Sequence, residues 1–250
     1  METPNYIWIV GASHGIGKAL ALELANRGHT VAVSARTKKD LDNLKSQLFG
    51  SGHLAVPLDV KDEKSIAKAQ SQILKNWPHI DTVIFAAGIY QPMSFEDLDT
   101  KVAYETLDIN TLGAIRLAEV VLPYFKKVGQ GHFAALGSIA GYSGLPNSSA
   151  YGMSKAALTH MMECLKIDCG SNKLKIQLFS PGFVKTRLTD QNKFEMPDLI
   201  TAEEAAVYIA DGLNSKKFEI YFPRRFPLLL KFIRLFPYSL YFKIIGLLKS

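Results

Sequence analysis

The sequence predicts an α/β protein of the doubly wound kind, a parallel β-sheet with helices on both faces, followed by an apolar, basic C-terminal tail. Three observations carry that expectation. Short apolar runs lack the polar alternation of a half-exposed strand, as expected of strands covered on both faces. They alternate with amphipathic segments of helical length, which points to strand–helix–strand units with right-handed crossovers. A glycine-rich loop, GASHGIG at 11–17, lies where the first apolar run stops and the first helical pattern starts.

Seven strands are expected, at Tyr6–Val10, Thr30–Ser34, Leu54–Leu58, Thr82–Ala86, His132–Leu136, Lys175–Phe179 and Phe218–Phe222. The helical segments between them are Ile16–Asn26, Lys38–Leu48, Asp62–Asn76, Thr100–Lys126, Ala150–Cys169 and Thr201–Leu213. No repeat, low-complexity tract or linker interrupts the chain before about Pro223. The expected organisation is one domain over 1–222 and a tail over 223–250.

Apolar content of 48% and charged content of 21% are those of an ordinary folded protein and exclude a disordered one. The net charge of +6 owes much to Arg224, Arg225, Lys231, Arg234, Lys243 and Lys249, which no acid follows after Glu219. The basic excess thus describes the tail, and no nucleic-acid partner is expected. Cys164 and Cys169 stand five apart in a helical segment, on different faces, which argues against a mutual disulfide. No Cys/His grouping has metal-ligand spacing, so no metal is expected. The opening METPNYIWIV has neither the charged region nor the long apolar core of a secretory signal, which favours a reducing, cytoplasmic location.

In the glycine loop, Gly11, Gly15 and Gly17 permit a tight turn, close approach to a pyrophosphate, and packing of helix on sheet. The helix start then offers unpaired N–H groups and a positive dipole end to phosphates. After the second strand, where an adenosine ribose would lie, a carboxylate would favour NAD(H). This chain has Ser34, Ala35 and Arg36, with no acid until Asp40. Arg36 suits a 2′-phosphate and favours NADP(H), helped by His14 and Lys38, although a solvated loop charge is the competing reading. Asp59, in LDV, is a candidate partner for the adenine amino group.

The stretch SIAGYSGLPNSSAYGMSK at 138–155 holds Tyr151 and Lys155 one helical turn apart, with Ser138 upstream at a strand end. A carbonyl that accepts hydride needs a proton donor, and a free phenol, with a pKa of about 10, is too weak an acid near neutrality. An ammonium about 4 Å away is worth roughly 4 kcal/mol at an effective dielectric of about 20, or about three pKa units. The expectation is that Lys155 brings Tyr151 into a useful range while Ser138 orients the carbonyl oxygen.

These residues, with AAG at 86–88, Asn110 in DINTLGA and PGFVKT at 181–186, resemble the short-chain dehydrogenase/reductase family over about Asn5–Phe222. The resemblance implies a Rossmann-like seven-stranded parallel sheet and a catalytic set of Asn110, Ser138, Tyr151 and Lys155. By the same resemblance, Tyr151 is the general acid/base, Lys155 lowers its pKa and binds the nicotinamide ribose, and Asn110 holds a relay water. The implied cofactor-binding set is Gly11, Ser13, His14, Gly15, Ile16, Gly17, Arg36, Asp59, Val60, Ala86, Ala87, Gly88, Asn110, Tyr151, Lys155, Pro181, Gly182, Val184 and Thr186. Homodimers or homotetramers through the helices at Thr100–Lys126 and Ala150–Cys169 are also implied. The chain departs from the family's TG opening at Val10-Gly11 and from its NNAG at Phe85-Ala86-Ala87-Gly88. The resemblance implies that loss of the first Asn of NNAG bears on stability more than on chemistry.

The tail, PRRFPLLLKFIRLFPYSLYFKIIGLLKS, is too interrupted by Pro237 and by charges to span a bilayer. Two short amphipathic helices are expected, either lying on a membrane surface or covering the pocket or a subunit interface. Either location favours a hydrophobic substrate such as a lipid-like ketone or aldehyde, a steroid or a retinoid. Leu145, Phe183, Leu188 and Phe194 are the candidate pocket walls. The expected function is an NADPH-dependent carbonyl reductase able to run as an alcohol dehydrogenase, with NAD(H) as the second cofactor choice. A nucleotide-binding redox sensor or scaffold at a membrane is the alternative, and nucleotide-sugar epimerase or dehydratase chemistry a third, disfavoured by the short segment from Pro181 to Thr201.

Overall fold

The structure is a computed structural model that describes residues 5–170, 173–192 and 195–247. Its sheet is built from β1 (Tyr6–Val10), β2 (Thr30–Ser34), β3 (Leu54–Ala55), β4 (Thr82–Phe85), β5 (Gly131–Leu136), β6 (Leu174–Pro181) and β7 (Glu219–Phe222). The strands lie in the order β3-β2-β1-β4-β5-β6-β7. Every pairing is parallel, with Ile7 opposite Val31 and Thr82, and Leu136 opposite Phe179. The helices are α1 (Gly15–Asn26), α2 (Lys38–Lys45), α3 (Glu63–Asn76), α4 (Thr100–Leu107), α5 (Gly113–Val128), α6 (Ser149–Cys169), α7 (Ala202–Leu213), α8 (Arg225–Ile233) and α9 (Tyr238–Gly246).

Because successive side chains of a strand point to opposite faces, the unbroken apolar runs supply two cores. Trp8, Val10, Val83 and Phe133 join Ile66 and Ile73 of α3, Leu117 and Val121 of α5, and Leu158 and Met162 of α6. Ile7, Ile9, Val31 and Ile84 join Leu20 and Leu24 of α1, Leu41 of α2, and Ala206 and Ile209 of α7 on the other face. The Trp8 indole N–H donates to Ser34 Oγ at 2.9 Å, so the fully buried ring leaves no donor unmet.

α2 ends at Lys45 rather than Leu48, β6 runs on to Pro181, and two further expected elements differ. The third strand is only Leu54–Ala55, yet Val56 and Leu58 N–H still bond Val33 and Ala35 carbonyls at 3.0 Å, and Pro57 between them falls on the open side of this edge strand. The segment expected as one helix over Thr100–Lys126 is divided into α4 and α5 by a π-helical turn at Asp108–Leu112. Such a turn inserts one residue into the helical register, and here it carries Asn110.

The tail forms two helices separated at Pro237. Phe226, Leu230, Ile233, Tyr241 and Ile245 pack with Ile139, and Tyr142, Leu145 and Phe183 close the cluster. Tyr241 Oη donates to Gly144 O, and Phe226 N donates to Asp198 Oδ2 at 3.2 Å. The outer face of the same helices stays open, with Leu228, Leu229, Phe232, Leu235, Tyr238 and Phe242 exposed. No helix among the described residues is long and apolar enough to cross a membrane.

Candidate active site

The chain reverses its direction of travel across the sheet between β1 and β4, and a ligand crevice is expected where such strands end. At that point Gly11 has φ +100°, and a Cβ there would stand 2.3 Å from Ala87 N. The glycine loop and Ala86-Ala87-Gly88 therefore lie in contact, and only glycine fits. A Cβ on Gly17 would meet Gly11 O at 2.2 Å, which seats the start of α1 against the turn. Gly15, at φ +54°, faces Thr186. The loop after β6 thus arches back over the glycine loop.

Asp62, Asp99 and Thr201 cap α3, α4 and α7 with side-chain oxygens, whereas at α1 His14 makes no cap bond and the first turn holds no acid. Its leading N–H groups are left for an anion. Ser13 Oγ and His14 Nδ1 lie 3.0 Å apart. Arg36, at the end of β2, is exposed and forms no ion pair among the described residues. Asp59 Oδ1 accepts from Lys61 N at 2.9 Å, and Asp59 N donates to Ser65 Oγ at 3.1 Å. Val60 and Val184 bury their side chains in the two cores, so each offers a ligand only main-chain groups, and Ile16 packs partly on the second core. Pro181 ends β6 beside Phe222, and Gly182 N donates to Phe222 O at 2.7 Å.

The polar side chains converge where β4, β5 and α6 meet. Lys155 is 4% exposed and donates from Nζ to Leu136 O at 2.8 Å. A Cβ placed on Gly88 would lie 3.4 Å from Asn110 Oδ1 and 3.7 Å from Lys155 Nζ, so three of the sequence-predicted segments meet there. Asn110 accepts from Ile89 N at 2.8 Å and donates to Ile89 O at 2.9 Å and to Ser154 Oγ at 3.0 Å. Its side chain is a brace, and a water relay at this residue would run through its main chain. Ser138, at the end of β5, accepts from Ala140 N at 3.1 Å, while Gly141 packs on the α6 backbone at Lys155.

The electrostatics depart from the expected pairing. Burial pushes the Tyr151 phenol up to about 12; Ser138 draws it down and Tyr90 pushes it further up. The Tyr90 ring stands edge-on to Tyr151 at 5.1 Å, with its hydroxyl donating to Asn192 Oδ1 at 2.9 Å. Burial lowers the Lys155 amine to about 8. The ammonium is 5.8 Å from the Tyr151 ring centroid and turned to Leu136 O. In this arrangement burial is the largest influence on both groups, and Lys155 is not among the groups that act on the phenol. The chemical result is a phenol that keeps its proton beside a lysine still charged at neutrality.

Ser138 and Tyr151 open into a pocket of about 740 Å³, within the ~300–1,000 Å³ range of small-molecule sites. Leu145, Phe183 and Leu188 line it as expected, together with Met93, Pro146 and Phe226. Phe194 lies outside the described residues. The sequence reading missed Tyr90 and Phe226. Tyr90, two residues past the AAG motif, carried the better signal; Phe226 reaches the pocket only because α8 folds back.

A family model described as short chain dehydrogenase matches residues 5–196. The chain belongs to that family. An uncharacterized oxidoreductase of Myxococcus xanthus is 30% identical over 217 residues, 86% of either chain. The mouse protein named dehydrogenase/reductase SDR family member 7B is 28% identical over 255 residues, covering 95% of this chain and 79% of that one. The crystal structure of a short-chain dehydrogenase from Streptomyces avermitilis shares the fold at a TM-score of 0.83, with 21% identity over 99% of this chain and 98% of that one. As a short-chain dehydrogenase, the protein is an NAD(P)-dependent oxidoreductase.

Proposed function

We propose that the protein is an NADPH-dependent carbonyl reductase acting on a hydrophobic ketone or aldehyde. The observation that carries this reading is that Ser138 and Tyr151 line a pocket rich in apolar side chains while Lys155 and Asn110 meet close by, beside Gly88. The residues present suit a nicotinamide dinucleotide. The uncapped start of α1 would hold the pyrophosphate, Gly88 leaves room beside Lys155, and Arg36 stands free for a 2′-phosphate. When bound, that cofactor supplies or accepts the hydride. Asp59, Ala86, Ala87, Thr186 and the main chain at Val60, Pro181, Gly182 and Val184 complete the cofactor cradle.

In this reading Tyr151 gives its proton to the carbonyl oxygen and Ser138 orients that oxygen. Lys155 holds a positive charge one turn away, and Asn110 fixes the segment after β4 against α6. The same site serves both directions, Tyr151 giving the proton in reduction and taking it back in oxidation, and the cofactor ratio sets which one runs. The test is a panel of aliphatic, steroidal and aromatic ketones and aldehydes, followed at the reduced-nicotinamide absorbance with each cofactor. Turnover of an apolar ketone with NADPH supports the reading; activity confined to polar substrates with NADH overturns it.

The exposed outer face of α8 and α9 supports peripheral contact with an anionic membrane. It combines large apolar side chains with Arg224, Arg225, Arg234 and Lys243, which form no ion pair among the described residues. Exposed Tyr104, Ile115 and Met153 on α4, α5 and α6 support self-association through those helices.

A further inference from the structure

Beyond Ser138, Tyr151 and Lys155 lies a second polar cluster, centred on Glu219. Glu219, at the start of β7, is 18% exposed and engages both carboxylate oxygens. Its Oε1 accepts from Tyr142 Oη at 2.6 Å and from Ser180 Oγ at 2.7 Å, and its Oε2 pairs with Lys231 Nζ. The same ammonium lies 4.8 Å from the Tyr142 ring centroid and 4.5 Å from that of Tyr221. Burial, reinforced by Glu219, pushes the Tyr142 phenol up, so the hydroxyl remains a donor.

Each partner of this carboxylate lies outside the pocket, on a segment that supplies a different part of its wall. Tyr142 closes the short 3-10 turn Ile139–Gly141 that follows Ser138, with Gly141 N bonded to Ser138 O at 3.0 Å. Ser180 immediately precedes Pro181 and Gly182, and Gly182 lines the pocket. Lys231 lies in α8, where Phe226 lines the pocket and stacks on Phe183 at 5.7 Å between centroids. An ion pair that only fastened the tail would need Oε2 alone. Here Oε1 binds the catalytic side as well, and charge-assisted bonds of this kind are roughly twice as strong as neutral ones.

We propose that Glu219 is a positioning residue that fixes the Ser138 turn, the end of β6 and the α8 wall relative to one another, and that Phe226 thereby sets the bulk of substrate the pocket admits. This rests on the carbonyl-reductase reading for its kinetic consequence, but its structural consequence can be measured alone. α8 is then part of the active site, and whatever docks on its outer face is felt at Ser138 through one carboxylate.

Hydrogen exchange on the full chain tests the idea with Glu219→Gln, Lys231→Met and Tyr142→Phe. Glu219→Gln should speed exchange about tenfold both in the Ser138 turn and in α8, while α1 stays as in the parent. Lys231→Met should loosen α8 more than the turn, and Tyr142→Phe the turn more than α8. On the best ketone of the panel, Glu219→Gln should raise KM and lower kcat, with NADPH affinity unchanged within about twofold. Phe226→Ala should shift preference toward bulkier ketones. Loosening of α8 alone in Glu219→Gln, or equal loosening of α1, would overturn the proposal. Absence of any ketone turnover in the parent would instead overturn the functional reading and leave the exchange result to decide this one.

Discussion

Lys155 and Tyr151 show how strongly burial acts on a pair that spacing alone suggests. The lysine, lowered to about 8, is charged at neutrality and loses its proton as pH rises through that value. Carbonyl reduction should therefore be level below about pH 8 and fall above it. In Lys155→Arg the cation persists to far higher pH, so the alkaline limb should disappear even if the rate is lower. A parent profile flat through the alkaline range would contradict this assignment. Arg36 offers a second test at the same scale. Arg36→Ala should raise the KM for NADPH by about tenfold or more and leave NADH within a few-fold, since only a 2′-phosphate meets the guanidinium. Equal effects on both cofactors would remove Arg36 from the site.

At the scale of elements, the glycine loop works by contact as much as by conformation. Gly17→Ala would force a methyl onto the Gly11 carbonyl and should cost roughly 1–3 kcal/mol, seen as a lowered midpoint in thermal or urea unfolding. Weaker NADPH binding should accompany it. Unchanged stability would mean that the turn is looser than its geometry indicates. The sequence showed these elements unevenly, for physical reasons. Continuous apolar runs marked all seven strands because both sheet faces are covered. The break at Asp108–Leu112 was invisible, because one extra residue in a helix hardly disturbs the apolar stripe. The early end of β3 was not read either, because the apolar run continues to Leu58.

For the whole molecule, the tail joins chemistry to surroundings. Its inner face closes the substrate pocket through Phe226, while its outer face leaves Phe232 59% and Leu235 80% exposed. Replacing both with Glu should abolish flotation with anionic phosphatidylserine vesicles while leaving the fold intact, because neither side chain is in a core. Flotation equal to the parent would reject the membrane contact. The positions of Gly11, Ser138, Tyr151 and Lys155 were legible from spacing, because each follows a strand or rides one helical turn. Tyr90, Phe226 and Glu219 were not, because their neighbours are distant in the chain, and Phe226 and the Lys231 partner of Glu219 arrive only with the tail. The most direct measurement is ketone turnover by Tyr151→Phe with NADPH binding followed in parallel. The expected result is near-parent NADPH affinity with turnover reduced by about 10²–10⁴, as for loss of a positioned general acid. Turnover within a few-fold of the parent would show that another group supplies the proton.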